Sequence, residues 1–201
     1  MSSAIYLEGG GDSRDLQSRC QMGFRKLLER CGYMGRMPKL VACGGRSAAF
    51  DDFKIASASA QKGDFVALWI DSEDPVADLE ATWAHLKART DDNWDRPNGA
   101  TNEQVLFMTT CMETWIVADR ATLAKHYGAK LQKSALPALH NLEGRPRDVI
   151  QNALIHATRN CSNGYRKGKR SFEVLGKLDP ATLNKYLPSF VRVRRILDAS
   201  L

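Results

Sequence analysis

The 201-residue chain is 43% hydrophobic and 26% charged, with 15 glycines and seven prolines, a composition that excludes collagen-like and disordered classes and fits one well-buried domain with appendages. Its net charge of +6 conceals a division, because residues 51–119 hold 14 acidic and five basic side chains whereas residues 145–201 hold 12 basic and four acidic ones. An acidic middle beside a basic tail predicts a cation site next to a polyanion-binding surface.

The apolar run from Ser3 to Leu7 predicts a strand. It meets Glu8 too early, and lacks the basic flank, for a signal peptide, and no later run reaches the roughly 18 apolar residues of a membrane span, so a cytoplasmic protein without membrane contact is expected. After Gly9-Gly10-Gly11, Leu16, Cys20, Phe24, Leu27, Leu28 and Cys31 recur at three- and four-residue intervals. That spacing predicts a helix near residues 13–31, capped by Asp12 or Ser13 and closed by Gly32. Pro38 to Cys43 reads as a second strand, followed by Gly44-Gly45-Arg46-Ser47 and a weaker helical pattern through Phe50, Phe53 and Ile55. The stretch from Phe65 to Ile70 is the most continuously apolar, as expected of a central parallel strand buried on both faces.

Pro75 suits the first turn of a helix that Val76, Leu79, Trp83 and Leu86 continue toward Arg89. A polar loop over 91–99 holds Trp94, read as a packing residue, before a fourth strand at Val105 to Met108 and a helix from Met112 to Tyr127. Strands alternating with helices predict an α/β fold with a parallel sheet, right-handed crossovers and ligands at the carboxyl edge. From Lys130 the pattern changes to helices punctuated by proline and glycine, with no strand. The expected organisation is an α/β domain over 1–128 with a basic helical appendage over 129–201 packed on it.

Several chemistries are excluded by residue type: there is no P-loop, no G-x-G-x-x-G, no nucleophile elbow and no H-E-x-x-H helix. Five widely spaced cysteines without C-x-x-C predict buried free thiols rather than a disulfide framework or zinc knuckle, and the four histidines stand at no ligand spacing. What remains is acidic. Glu8 follows the first strand and Asp71-Ser72-Glu73-Asp74 the third, so their carboxylates share one sheet edge, where hard oxygen ligands suit Mg²⁺ or Mn²⁺. Glu8, Asp71 and Glu73 are the expected catalytic residues and, with Asp74, the expected metal ligands. Asp12 and Glu113 are supporting groups or ligands of a second ion, although Asp12 and Asp74 would also serve as helix caps. The run Arg166-Lys167-Gly168-Lys169-Arg170, between Tyr165 and Phe172, has the composition of a phosphate-contacting patch with adjacent stacking groups, supported by Arg159, Arg192, Arg194 and Arg195. A solvated basic loop would look the same.

The strand ending in Leu7-Glu8-Gly9, the following helix and the later strand ending in Asp71-Ser72-Glu73-Asp74 resemble the Toprim domain of topoisomerases, primases and OLD-family nucleases. Together with Cys111-Met112-Glu113-Thr114-Trp115-Ile116-Val117-Ala118-Asp119, and with the stretch from Lys169-Arg170-Ser171-Phe172 through Leu178-Asp179-Pro180, they resemble a bacterial Toprim-like family known as DUF4276, often linked with defence ATPases. The resemblance implies a four-stranded Toprim/Rossmann-like sheet and a Mg²⁺-dependent nuclease that hydrolyses phosphodiester bonds of DNA or RNA, with an ATPase partner in a bacterial defence system. Its Glu matches Glu8 and the first Asp of its D-x-D matches Asp71, while the second Asp is replaced by Glu73. That departure motivates the alternative of a catalytically silent module binding nucleic acid or a partner protein; a small-molecule phosphotransfer or phosphatase centre is the third reading.

Overall fold

The computed structural model describes residues 2–201. Four strands, β1 (Ser3–Gly10), β2 (Lys39–Gly44), β3 (Phe65–Asp71) and β4 (Val105–Met108), form one sheet in the order β2-β1-β3-β4, and every neighbouring pair is parallel. Ile5 stands opposite Leu40 on one side and Ala67 on the other, and Trp69 opposite Leu106, so all four carboxyl ends fall on one edge. This is the expected α/β class.

The apolar run of β3 is explained by its two covered faces. Ala67 and Trp69 belong to one core cluster, while Val66, Leu68 and Ile70 belong to the other, as the two-residue period of a strand requires. The Trp69 face is covered first by α1 (Arg14–Arg30), whose Phe24 meets the Trp69 ring edge-on at 4.9 Å. The opposite face is covered by α2 (Arg46–Ser59) and α3 (Thr82–Ala88), through Phe50, Phe53 and Trp83. After β4 the chain returns to the α1 side as α4 (Met112–Ala118), α5 (Arg120–Tyr127), α6 (Arg147–Thr158), α7 (Lys169–Leu175), α8 (Pro180–Tyr186) and α9 (Pro188–Ser200). The core on that side runs without a break from Ile5 to Leu197. Among the described residues no helix is long and apolar enough to cross a membrane, and all five cysteines are free, four buried and Cys43 half-buried.

Two expected helices are corrected. The one assigned from Pro75 begins only at Thr82. The Ser72 hydroxyl donates to the Asp74 carbonyl, and the intervening segment carries Glu80 out to Arg192 and Arg195 of α9, so long-range ion pairs override the local helical spacing. The helix assigned to 112–127 is broken at Asp119, whose carboxylate accepts the backbone N–H of Thr122 (2.9 Å) and of Asp179 (2.8 Å). One side chain thus caps α5 and anchors the approach to α8.

A candidate metal centre at the carboxyl edge of the sheet

Glu8 lies near the end of β1, Asp71 ends β3, and Glu73 follows two residues later with φ of 68°, a left-handed conformation uncommon for a residue other than glycine. That conformation is held by backbone bonds from Ser72 N–H to the Met108 carbonyl (3.1 Å) and from Glu73 N–H to the Thr110 carbonyl (2.8 Å). The consequence is convergence: one carboxylate oxygen from each of Glu8, Asp71 and Glu73 lies within 4.8 Å of the others. Asp71 is the fixed point. Its Oδ1 accepts the N–H of Met112 at 2.8 Å, and its own N–H donates to Glu8 Oε2 at 3.2 Å.

Three carboxylates so close are electrostatically costly without a cation. Burial pushes the Asp71 carboxyl well above its usual range, Glu8 and Glu113 add to the shift, and Lys167 and Arg147 oppose it. The sequence reading missed one compensating group, Arg46, at the N-terminus of α2. Its Nη1 donates to Glu8 Oε2 at 3.1 Å and also reaches the Asp71 carbonyl, while Nε and Nη2 fork onto the Asp92 carboxylate at 2.7 and 2.8 Å. Burial works against the Arg46 charge, yet Asp92 and Glu8 outweigh it and raise its pKa. Burial likewise opposes ionisation of Asp92, but Arg46 and Arg89 hold its carboxyl below the usual range. The Arg46 guanidinium also lies 5.1 Å from the ring centre of Trp94, which stacks on Phe50 at 4.1 Å as a packing residue. The available signal was its position: the Gly44-Gly45-Arg46-Ser47 loop leaves β2 at the same edge as Glu8 and Asp71. Arg147, in the first turn of α6, pairs with Glu73.

Asp74 does not join them. Its side chain is 64% exposed and pairs with Arg89, because the left-handed turn at Glu73 sends the next residue away from the edge. Asp12 is exposed in the turn before α1 and stands outside the converging set. Glu113 is fully buried in the first turn of α4, where it accepts hydrogen bonds from the Tyr165 hydroxyl and from Gln151 Nε2 (3.2 Å), so its carboxyl is committed to partners within the core.

Above the carboxylates lies a cleft of about 260 Å³, floored by Glu8 and Asp71 and walled by Gly9, Gly10 and Gly11, by Met108, Met112 and Phe172, and by Lys167. Gly10 has φ of +93°, and a Cβ there would fall 2.7 Å from the Gln17 Cα, so only glycine lets this loop lie against α1. The basic run is divided by the fold. Lys167 enters the carboxylate cleft, whereas Arg166 and Arg170 line a separate hollow with Arg159, and Arg170 donates to the Gly164 carbonyl. The expectation of Tyr165 and Phe172 as stacking groups is overturned, since both are buried and Tyr165 is bonded to Glu113. Nor do the distal arginines supply a free patch: Arg192 is buried against β4, Arg195 pairs with Glu80 and Glu103, and Arg194 lies over the Tyr33 ring. His85 approaches the Ser72 carbonyl and His126 lies between Asn163 and Lys177; no histidine or cysteine joins a metal-type cluster among the described residues.

The family model described as "Domain of unknown function (DUF4276)" matches residues 7–197. No curated protein and no solved structure matches the chain.

Proposed function

The chain belongs to the DUF4276 family, and from the carboxylate centre it carries we propose that it is a divalent-metal-dependent, Toprim-type phosphodiesterase acting on nucleic acid. The observation that carries the reading is the convergence of Glu8, Asp71 and Glu73 within 4.8 Å, with Glu8 and Asp71 lining a cleft that Lys167 also lines. The donor set fits Mg²⁺ or Mn²⁺: all three ligands are hard oxygens, Glu8 and Asp71 come from strands and Glu73 from the turn after β3, and the open side of the cleft leaves room for water and phosphate oxygens. Glu8, Asp71 and Glu73 would hold the ion, which when bound polarises a phosphoryl oxygen and lowers the pKa of an attacking water. The Met112 N–H keeps Asp71 aimed at the site, and Arg46, clamped by Asp92, fixes the Glu8 carboxylate. Lys167 offers a positive charge to a phosphate entering between the glycine loop and Phe172. The chain lacks a nucleotide-hydrolysing motif, so any ATP dependence belongs to an ATPase partner; the setting proposed is the cytoplasm.

One observation favours the silent-module alternative: Glu8 and Glu73 each already have an arginine partner, as in a self-neutralised cluster. Calorimetric titration with Mn²⁺ decides between them. The catalytic reading expects wild type to bind Mn²⁺ and to cleave labelled DNA or RNA in Mg²⁺, and expects Glu8→Gln and Asp71→Asn to lose both. Wild type that binds no Mn²⁺, or cleavage unaffected in both variants, would overturn it.

A further inference from the structure

We propose that the seam between α1 and α7 is a track for one single-stranded nucleic acid, guiding its phosphates into the carboxylate cleft. This rests on the phosphodiesterase reading and adds to it the route and the strandedness of the substrate.

The two helices meet at their backbones. A Cβ on Gly23 of α1 would fall 2.6 Å from the Phe172 carbonyl oxygen of α7, so no side chain separates them and their outer ridges flank a shallow groove. Those ridges are basic. Arg19 and Lys26 come from α1, Lys169 from α7 and Lys177 from just beyond it, against the single acid Glu173, around a hollow of about 170 Å³. Arg19 pairs with Asp15 and Lys177 with Glu173, but these pairs are solvent-exposed, so salt screens them and a phosphate can displace the carboxylate at little cost. Lys26 and Lys169 have no ion pair among the described residues.

The groove adjoins the carboxylate cleft. Phe172 walls both, its ring lying 3.1 Å from where a Gly9 Cβ would stand, beside Glu8. Lys167 in the cleft and Lys169 in the seam are separated by Gly168 alone, so their Cα atoms are at most about 7 Å apart. A chain of phosphates running along the seam would therefore pass Lys169 and then Lys167 before it reached the acids. Strandedness follows from size. The cleft of about 260 Å³ is at the small end for a ligand site and accepts one nucleotide-sized group. A duplex, whose phosphates ride on a rigid paired stack, cannot lower one of them to a floor where Asp71 is 7% exposed unless it opens.

The test measures binding by fluorescence anisotropy across a salt series, with Ca²⁺ as the divalent ion, using labelled single-stranded DNA, single-stranded RNA, duplex DNA and poly-glutamate. Wild type is expected to bind a single strand more tightly than duplex or poly-glutamate, with the DNA and RNA arms identifying the strand. The triple variant Arg19→Ala/Lys26→Ala/Lys169→Ala should bind roughly tenfold or more weakly at low salt and show a log–log salt slope shallower by about 2, since each single-strand phosphate contact contributes about 0.7. The charge-retaining variant Arg19→Lys/Lys26→Arg/Lys169→Arg should keep the slope, as should Lys54→Ala/Lys87→Ala on α2 and α3, which cover the opposite face of the sheet. An unchanged slope in the first triple variant, an equal loss in the far-face variant, or tighter binding of duplex or poly-glutamate would overturn the track. Wild type that binds Mn²⁺ but no oligonucleotide removes the track alone, whereas absence of Mn²⁺ binding removes the metal reading and leaves the anisotropy result to judge the seam.

Discussion

Arg46 bonds the carboxylates of Glu8 and Asp92 and the backbone carbonyl of Asp71 at once, and its geometry rather than its charge makes it hard to replace. Asp92 is almost wholly buried, with its side chain 3% exposed, and receives two parallel N–H donors from the guanidinium fork. Lysine carries the charge but not the fork. Arg46→Ala is therefore expected to cost about 2–3 kcal/mol and to weaken Mn²⁺ binding by releasing Glu8, and Arg46→Lys to recover only part of either. Urea midpoints and Mn²⁺ titrations check this, and a lysine variant equal to wild type in both would show that charge alone suffices. Asp71 presents the opposite case, a carboxylate whose ionisation the fold opposes. Because its folded pKa lies above the unfolded value of about 3.9, its protonated form stabilises the fold at low pH, and that advantage is lost as pH rises toward the folded pKa. Without metal, Glu8→Gln/Asp71→Asn should consequently melt above wild type at neutral pH, with the gap closing toward pH 4. Melting curves across that range measure it, and a double variant that melts below wild type at pH 7 would contradict the repulsion.

Among the elements, α9 holds distant parts of the chain together. Arg192 from its first half donates to the Val105 carbonyl (2.8 Å) and the Asn102 carbonyl (2.7 Å), occupying the β4 edge. Its N-terminus is held by Glu143, which takes the Ser189 N–H and hydroxyl. Burial raises the Glu143 carboxyl to about 7, even though the Ser189 donors favour its charged form. The native state therefore keeps this proton when the unfolded chain has lost it, and stability should fall as pH rises from about 4.5 to 7, by on the order of 2–3 kcal/mol. Glu143→Gln, which keeps the shape and cannot ionise, should flatten that fall. Urea unfolding at pH 5 and pH 7.5 tests it; a variant with the wild-type pH dependence would assign the fall to other groups.

In the whole molecule, the late helices complete the core that the sheet begins. Trp115 of α4 meets Trp69 of β3 at 6.0 Å on one side and Phe190 of α9 at 5.0 Å on the other, both edge-on. A chain cut after residue 128 would open that contact and uncover the β4 edge, so the fragment is expected to aggregate or bind hydrophobic dyes; a cooperative melt from the isolated fragment would refute the shared core. The same scale separates what is legible in the chain from what is not. Apolar runs ending in Glu8 and in Asp71, and the helical spacing of Leu16, Cys20 and Phe24, announce parallel strands, the first helix and the acidic edge, because strand and helix periods are properties of neighbouring residues. Placing Glu8 with Asp71 needed only the rule that parallel strands share their carboxyl ends. The start of α3, the break at Asp119, the turning of Asp74 toward Arg89 and the burial of Tyr165 against Glu113 were not legible. Each depends on a partner 15 to 115 residues away in the chain. The order of residues determined the fold class and the acids at its edge, since both follow from local pattern and chain direction. Only the tertiary structure decided which cations face those acids, because Arg46 of α2, Arg147 of α6 and Lys167 of the turn before α7 reach one edge from three separate segments and no local spacing encodes which surfaces the folded chain brings together.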